Sequence, residues 1–334
     1  MVLSKRLLSL LVCAVAAAVP FASVSAQEAK KLTIAVIPKG TTHEFWKSIH
    51  AGAIKSQQEL EAAGQPVELI WKGPLKEDDR EGQIQVVENF TSMKVSGMVL
   101  APLDATALAE PAEGAIGQKI PVVVIDSALN SKKVAAFVAT NNFEGGKLGA
   151  KRLGEVLGGK GKAILLRYQE GSASTEEREK GFLEGIKAVP GIEVISSNQH
   201  SGATRDTAYQ ASQNLLNRYG QEVNGIFTPN ESSTAGMILA LKEAGLAGGK
   251  VKHVGFDSSA PLVTALKAGD VQGLVVQDPV TMGYLGVKTL VSAIKGEKVE
   301  PKVDTPVNVI TPDNISDPKI VELINPPLSK YLKE

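Results

Sequence analysis

Residues 32–53 read LTIAVIPKGTTHEFWKSIHAGA. Leu32 to Ile37 is an apolar, β-branched run with the composition of a strand buried on both faces of a parallel sheet. Pro38-Lys39-Gly40 breaks the run, and Thr41-Thr42-His43 makes a short polar loop. Phe45, Ile49 and Ala53 then recur at four-residue spacing, which predicts a helix with one buried face. Strand, turn and helix N-terminus are the first half of a βαβ unit. Ligands of open α/β sheets sit beyond the carboxyl ends of the strands. Phe45 and Trp46 lie beside that end in a chain with only 4% aromatic residues, which makes the pair a candidate ligand contact.

Outward from this unit the alternation continues. Strands are predicted over 67–71, 97–101, 121–126 and 134–138, with helices from the charged run at 76 through Phe90 and over 105–118. The charged run Lys76 to Glu81 reads as the solvated start of its helix. The pattern then restarts. Helices are predicted over 145–157, 175–188, 204–219, 232–244 and 260–268, between strands at 163–166, 194–195, 225–227, 253–257 and 271–276. A helix over 282–294, an extended run from Val303 to Ile310 and a short helix over 320–324 close the chain. Two α/β halves of similar size, with no low-complexity linker, predict two lobes with a cleft between them. A late extended run after both halves brings the chain back between them, so several crossings form the hinge. Such a hinge suits closure about a ligand.

Composition narrows the function. Lys plus Arg equals Asp plus Glu, 36 each, and no basic arm or tail is present, which argues against nucleic acid as a partner. Residues 1–26 differ from the rest: Lys5 and Arg6 precede an apolar run, Leu7 to Val19, and Val24-Ser25-Ala26 supplies small residues before a cleavage point. This is the pattern of a secretory signal peptide, and it is shorter in its apolar part than a membrane span of about 20 residues. Cleavage before Gln27 removes two basic residues and the chain's one cysteine, Cys13. An exported, thiol-free and weakly acidic protein fits the periplasm.

No constellation of catalytic residues stands out. There is no G-x-S-x-G elbow, no P-loop and no metal-ligand spacing among His43, His50, His200 and His253, so no enzyme, metal or cofactor is implied. What recurs is a polar residue at or just after a strand: Lys39, Asp126, Asn230, Asp257 and Gln277. Distributed over both halves, these converge on the cleft. Carboxylates and amides suit hydroxyl partners. With Phe45 and Trp46 for the C–H face of a sugar ring, they describe a carbohydrate site.

These motifs resemble those of the periplasmic sugar-binding proteins of ABC transporters, the ribose-binding-protein type, over almost all of the chain after residue 26. The aromatic pair opening the first helix is similar to that family's ribose-contacting segment, with Phe45 and Trp46 where it has two phenylalanines and His43 where it has asparagine. VVVIDS resembles the strand that ends in the sugar-binding aspartate, here Asp126. ATNNFEGGKLGA resembles the crossover into the second lobe. FTPNES, VGFDSS and VVQDP place Asn230, Asp257 and Gln277 at ligand-contact positions. Departures are Ser127 where ribose binders carry arginine, Glu176 for a second arginine with Arg178 two residues on, and Lys39 for a small polar residue. The IPK segment is also similar to the autoinducer-2-binding branch, where a lysine contacts ligand.

The resemblance implies a type I periplasmic binding protein: two Rossmann-like α/β lobes, each a doubly wound parallel sheet, joined by a three-segment hinge. Residues 27–140 with 278–308 would form the first lobe, and 141–277 with 309–334 the second. The implied function is capture of a monosaccharide or polyol by a monomer, with the departures arguing against ribose itself, and its delivery to a membrane permease. The alternative is an autoinducer-2 or sugar-sensing protein feeding a signalling receptor.

Overall fold

A computed structural model describes residues 30–332; the expected signal peptide, residues 1–26, lies outside the described residues. The first half runs β1 (Leu32–Ile37), α1 (Glu44–Ala62), β2 (Val67–Trp71), α2 (Arg80–Ser92), β3 (Gly97–Leu100), α3 (Ala109–Gly117), β4 (Val122–Ile125) and β5 (Ala136–Thr140). The second runs α4 (Asn142–Val156), β6 (Lys160–Leu165), α5 (Ala173–Ile186), β7 (Gly191–Ser196), α6 (Arg205–Tyr219), β8 (Gly225–Phe227), α7 (Glu231–Glu243), β9 (Lys252–Phe256), α8 (Ala260–Ala268) and β10 (Gly273–Gln277). The chain ends with α9 (Pro279–Ile294), β11 (Lys302–Thr305), β12 (Val307–Ile310), α10 (Pro318–Ile324) and a 3₁₀ turn, Leu328–Lys330.

The strands form two six-stranded sheets, ordered β11-β5-β4-β3-β1-β2 and β12-β10-β9-β8-β6-β7. β3 and β4 are buried along their whole length because helices cover both faces of the first sheet. The strand order reverses between β1 and β3, and again between β6 and β8, so each lobe has its own topological switch point.

The extended run predicted over Val303–Ile310 is two strands, not one. β11 joins the first sheet parallel to β5, and β12 joins the second antiparallel to β10. Pro306 between them has no N–H to give to either ladder, so pairing breaks there. The chain therefore passes between the sheets after β5, after β10 and at Pro306. After the second passage α9 packs against α1 in the first lobe. The charged run before α2 is a loop rather than a helix start, because Asp79 accepts the Gly82 N–H and caps the helix at Arg80.

Close helix pairs tie each lobe to its sheet. A Cβ on Gly52 would lie 2.0 Å from the Val280 carbonyl oxygen, and one on Gly283 2.1 Å from that of Ile49, so α1 and α9 meet where neither can carry a side chain. Gly146 and Gly181 do the same for α4 and α5, each with a Cβ position 2.0 Å from a carbonyl oxygen of the facing helix.

Candidate functional site

The turn after β1 brings Lys39 to the carboxyl edge of the first sheet, where it is 4% exposed. Its Nζ lies 2.8 Å from Asp126 Oδ2. It also donates across the cleft to Ser174 Oγ at 3.0 Å and Ser172 Oγ at 3.5 Å. Asp126 follows β4 in the left-handed region at φ 62. A non-glycine residue held there is a local strain of the kind that gathers at functional sites.

His43 is the N-cap of α1, and its side chain makes no cap hydrogen bond. Its ring turns to Glu77 instead, with Nδ1 3.0 Å from Oε1. Trp46 Nε1 donates to the same oxygen at 2.7 Å, and the Tyr168 hydroxyl donates to Oε2 at 2.6 Å from the second lobe. Burial by itself would raise the Glu77 pKa. The hydrogen bond and charge of His43, the charge of Lys39 and the Tyr168 hydroxyl outweigh it and hold the carboxyl at about 2. Burial likewise pulls His43 down, but its contact with Glu77 wins and its pKa is raised.

The second lobe supplies Arg178 from α5, 2% exposed. Its Nε donates to Asn142 Oδ1 at 2.8 Å and its Nη1 to the Pro229 carbonyl at 3.0 Å, while the guanidinium lies 4.0 Å from the Phe256 ring centroid. Asp257 follows β9 at φ 68, with Oδ2 3.9 Å from Arg178 Nη1. Gln277, the last residue of β10, donates to Asp257 Oδ1 at 2.7 Å. Burial pushes the Asp257 carboxyl up to about 6, with Arg178 and Gln277 opposing and the charges of Asp126 and Glu231 adding to the rise. Asn230 caps α7, accepting from the Ser233 N–H and hydroxyl. The buried Glu231 beside it accepts from Ser259 and pairs with Arg205.

These groups line a narrow cavity between the lobes. Lys39, His43, Phe45, Trp46, Asp126, Arg178, Asn230, Asp257 and Gln277 all line it. Ser127 and Glu176 do not. The Ser127 hydroxyl accepts the Ser174 N–H at 3.0 Å in the first turn of α5, and the Glu176 carboxylate accepts the Gly171 N–H at 2.9 Å in the loop before it, so both serve the backbone where α5 begins. The cation at this end of α5 is Arg178. Glu77, Tyr168, Ser174, Thr175 and Glu231 also line the cavity and were not foreseen. The signal for Glu77 was indirect: a buried tryptophan needs an acceptor for its N–H.

Five buried side-chain polar atoms have no hydrogen-bond partner among the described residues; Ser56 Oγ and His253 Nδ1 lie away from the cavity, and the other three are Asp126 Oδ2, Arg178 Nη2 and Gln277 Oε1. For Asp126 Oδ2 the Lys39 contact is an ion pair by distance without hydrogen-bond alignment. Asp126, Arg178 and Gln277 all line the cavity, where an added polar molecule would satisfy them. Among the described residues no group of three or more His, Cys, Asp or Glu side chains is placed to hold a metal.

Residues 34–298 match the family described as periplasmic binding protein domain. The chain belongs to this family. Its two parallel-sheet lobes are the type I fold of such proteins, and it is a binding protein rather than an enzyme. A ribose import binding protein of Haemophilus influenzae is 28% identical over 289 residues, covering 86% of this chain and 94% of the relative. A carbohydrate transporter solute binding protein of Agrobacterium radiobacter, solved in complex with D-arabinose, is 35% identical with a TM-score of 0.83, over 88% of this chain and 99% of its own. An ABC transporter solute binding protein of Agrobacterium vitis with bound D-fucose is 34% identical with a TM-score of 0.82, over 88% and 100%.

Proposed function

We propose that this periplasmic binding protein captures a neutral monosaccharide or polyol between its lobes and delivers it to the membrane permease of an ABC importer. It does so as a monomer, exported by cleavage of residues 1–26. The observation that carries this reading is the set of unsatisfied atoms in the cavity: one carboxylate oxygen, one guanidinium nitrogen and one amide oxygen. A hydroxyl both donates and accepts, so a ring or chain of hydroxyls answers donors and acceptors together. Neutrality follows from charge balance. Lys39, Arg178 and Arg205 already face Asp126, Asp257 and Glu231, and Glu77 is answered by His43, Trp46 and Tyr168, which leaves no unanswered charge for an acid or an amine. In this reading Phe45 and Trp46 flank the sugar, His43 and Lys39 shape the first-lobe wall, and Asp126, Asn230, Asp257, Gln277 and Arg178 meet its hydroxyls. Ser127 and Glu176 hold the start of α5, which carries the serines facing Lys39.

The test is a thermal-shift and calorimetric panel of D-ribose, D-allose, D-arabinose, D-fucose and xylitol. Ligand at about 1,000 times its Kd stabilises the fold by about 4 kcal/mol. No shift with any pentose, hexose or polyol would overturn the reading. Trp46 is an internal reporter, because Trp71 stacks on His50 at 4.4 Å, away from the cavity lining. In a Trp71→Phe protein the remaining emission should change on binding. Lys39 favours the second reading, an autoinducer-2 input to a signalling receptor. Borate-sensitive binding of autoinducer-2, with no response to the sugars, would establish it in place of the first.

A further inference from the structure

A second cavity, of about 210 Å³, adjoins the cleft. Phe45, Asp257 and Gln277 line both cavities, so single side chains divide them. The far wall is the C-terminal tail. α10 lies on the second lobe, where Leu323 and Ile324 pack against its core, while the 3₁₀ turn at Leu328–Lys330 packs against α1 of the first. The tail thus spans the lobes and roofs a space that the two sheets alone would leave open.

We propose that this chamber is a second subsite, which takes the substituent of a glycoside whose sugar ring occupies the cleft. The inference rests on the reading of the cleft as a sugar site and names a larger member of that ligand class. Volume permits it, since a cavity of about 150 Å³ is enough to take a benzene ring and this one is larger. The lining is two-sided. Leu323, Ile324 and Val276 present hydrocarbon, while Ser48, Ser258 and Asn325 present hydroxyl and amide groups. An aryl group or a second sugar ring has that same division between an apolar face and a polar edge. At the boundary Gln277 donates its amide nitrogen to Asp257 and leaves its buried oxygen without a partner among the described residues. A hydroxyl of the sugar, next to the glycosidic oxygen, is the donor that this oxygen lacks.

The experiment uses the chain from Gln27 onward and calorimetry with D-arabinose, D-fucose, D-galactose and D-allose, each against its two 4-nitrophenyl glycoside anomers. For at least one sugar that binds, one anomer should bind about tenfold more tightly than the free sugar. Two variants fill the chamber from opposite walls, Leu323→Trp and Ser258→Phe, and neither residue lines the cleft. Each should leave the free sugar within about twofold of the parent and cost the glycoside about tenfold or more. A crystal structure of the parent protein with the bound glycoside should place the aryl ring between Leu323 and Ser258, independently of how the variants fold. Binding of free sugars with rejection of every glycoside would show the chamber to be hinge clearance and overturn the inference. So would equal losses of sugar and glycoside in both variants. Failure of all the free sugars and all the glycosides would instead remove the sugar-site reading, and this inference with it.

Discussion

Asp126 and Asp257 occupy the same place in the two lobes. Each follows the third strand of its sheet counted from the late-strand edge, β4 in one and β9 in the other. Each is held in the left-handed region, at φ 62 and 68, and each faces a buried cation, Lys39 at 2.8 Å and Arg178 at 3.9 Å. The lobes thus present matched carboxylates to one cavity from opposite sides. The two differ in how tightly the cation is engaged, and that difference separates their predicted behaviour.

Asp126 is the more tightly paired. Asp126→Asn keeps a side chain that tolerates positive φ, so the backbone strain is unchanged and the charge alone is lost. Lys39 is then buried without its counter-ion, and breaking a buried pair from one side costs about 3–5 kcal/mol. The melting temperature should fall, and affinity for the ligand found in the panel should drop at least about a hundredfold. Calorimetry on the variant checks this. Unchanged affinity would remove Asp126 from the proposed contact set.

Asp257 carries a pH signature. Its pKa is pushed from 3.8 up to about 6, chiefly by burial. Between these values the unfolded chain has released the proton and the folded chain still holds it. Stability therefore falls as pH rises from about 4 to about 6 and levels off above that window. Asp257→Asn abolishes this contribution, so its stability relative to the parent should improve across the window by up to ~3 kcal/mol. Burial also pushes Glu179 up to about 7 and lowers His253 to about 3, but both are common to the two proteins and cancel in the difference. Urea melts at pH 4, 5, 6 and 7 measure it. A pH-independent difference would show that Asp257 ionises normally in the fold.

The bond from the Tyr168 hydroxyl to Glu77 joins the lobes, so it exists only while they are together. A hydrogen bond to a charged group contributes about 1.5–3 kcal/mol. Tyr168→Phe should therefore weaken ligand binding about 10- to 100-fold by disfavouring closure. Small-angle scattering of the ligand-free variant should show a larger radius of gyration than the parent. Parent-like affinity and radius would mean that this bond does not contribute to closure.

That bond also marks where sequence reading stops. The strand ends could be found because apolar runs terminate in polar residues, and Asp126, Asn230, Asp257 and Gln277 are all legible in that way. Glu77 is not. It lies in a run with Asp78, Asp79 and Glu81, and nothing in the run's composition says which acid turns inward. The choice is tertiary: Asp79 is used to cap α2, while Glu77 faces Trp46 and His43 from α1. The choice between Glu176 and Arg178 is illegible for a related reason. The family pattern offers both Glu176 and Arg178, and because residues two apart on a helix point in different directions, Arg178 lines the cavity and Glu176 turns to the Gly171 N–H. Pro306 shows the converse, since one extended run became two strands in two sheets through pairing partners that lie far away in sequence.

Arg178 is positioned by a glycine that never touches the cavity. A Cβ on Gly146 would lie 2.0 Å from the Arg178 carbonyl oxygen and 2.8 Å from the Phe182 nitrogen. Both are backbone atoms, so no rotamer change can relieve the overlap and α5 itself must move away from α4. That motion would draw the guanidinium off Asn142 and the Pro229 carbonyl, now at 2.8 and 3.0 Å. Gly146→Ala should therefore cost about 1–3 kcal/mol or more in stability, as overpacking does, and lower ligand affinity about tenfold. Gly114→Ala is the matched control. It lies within α3 with nothing near its Cβ position, and alanine there should stabilise by about 0.5–1 kcal/mol with affinity unchanged. If Gly146→Ala loses stability but binds like the parent, the α4–α5 crossing supports the lobe without setting the place of Arg178.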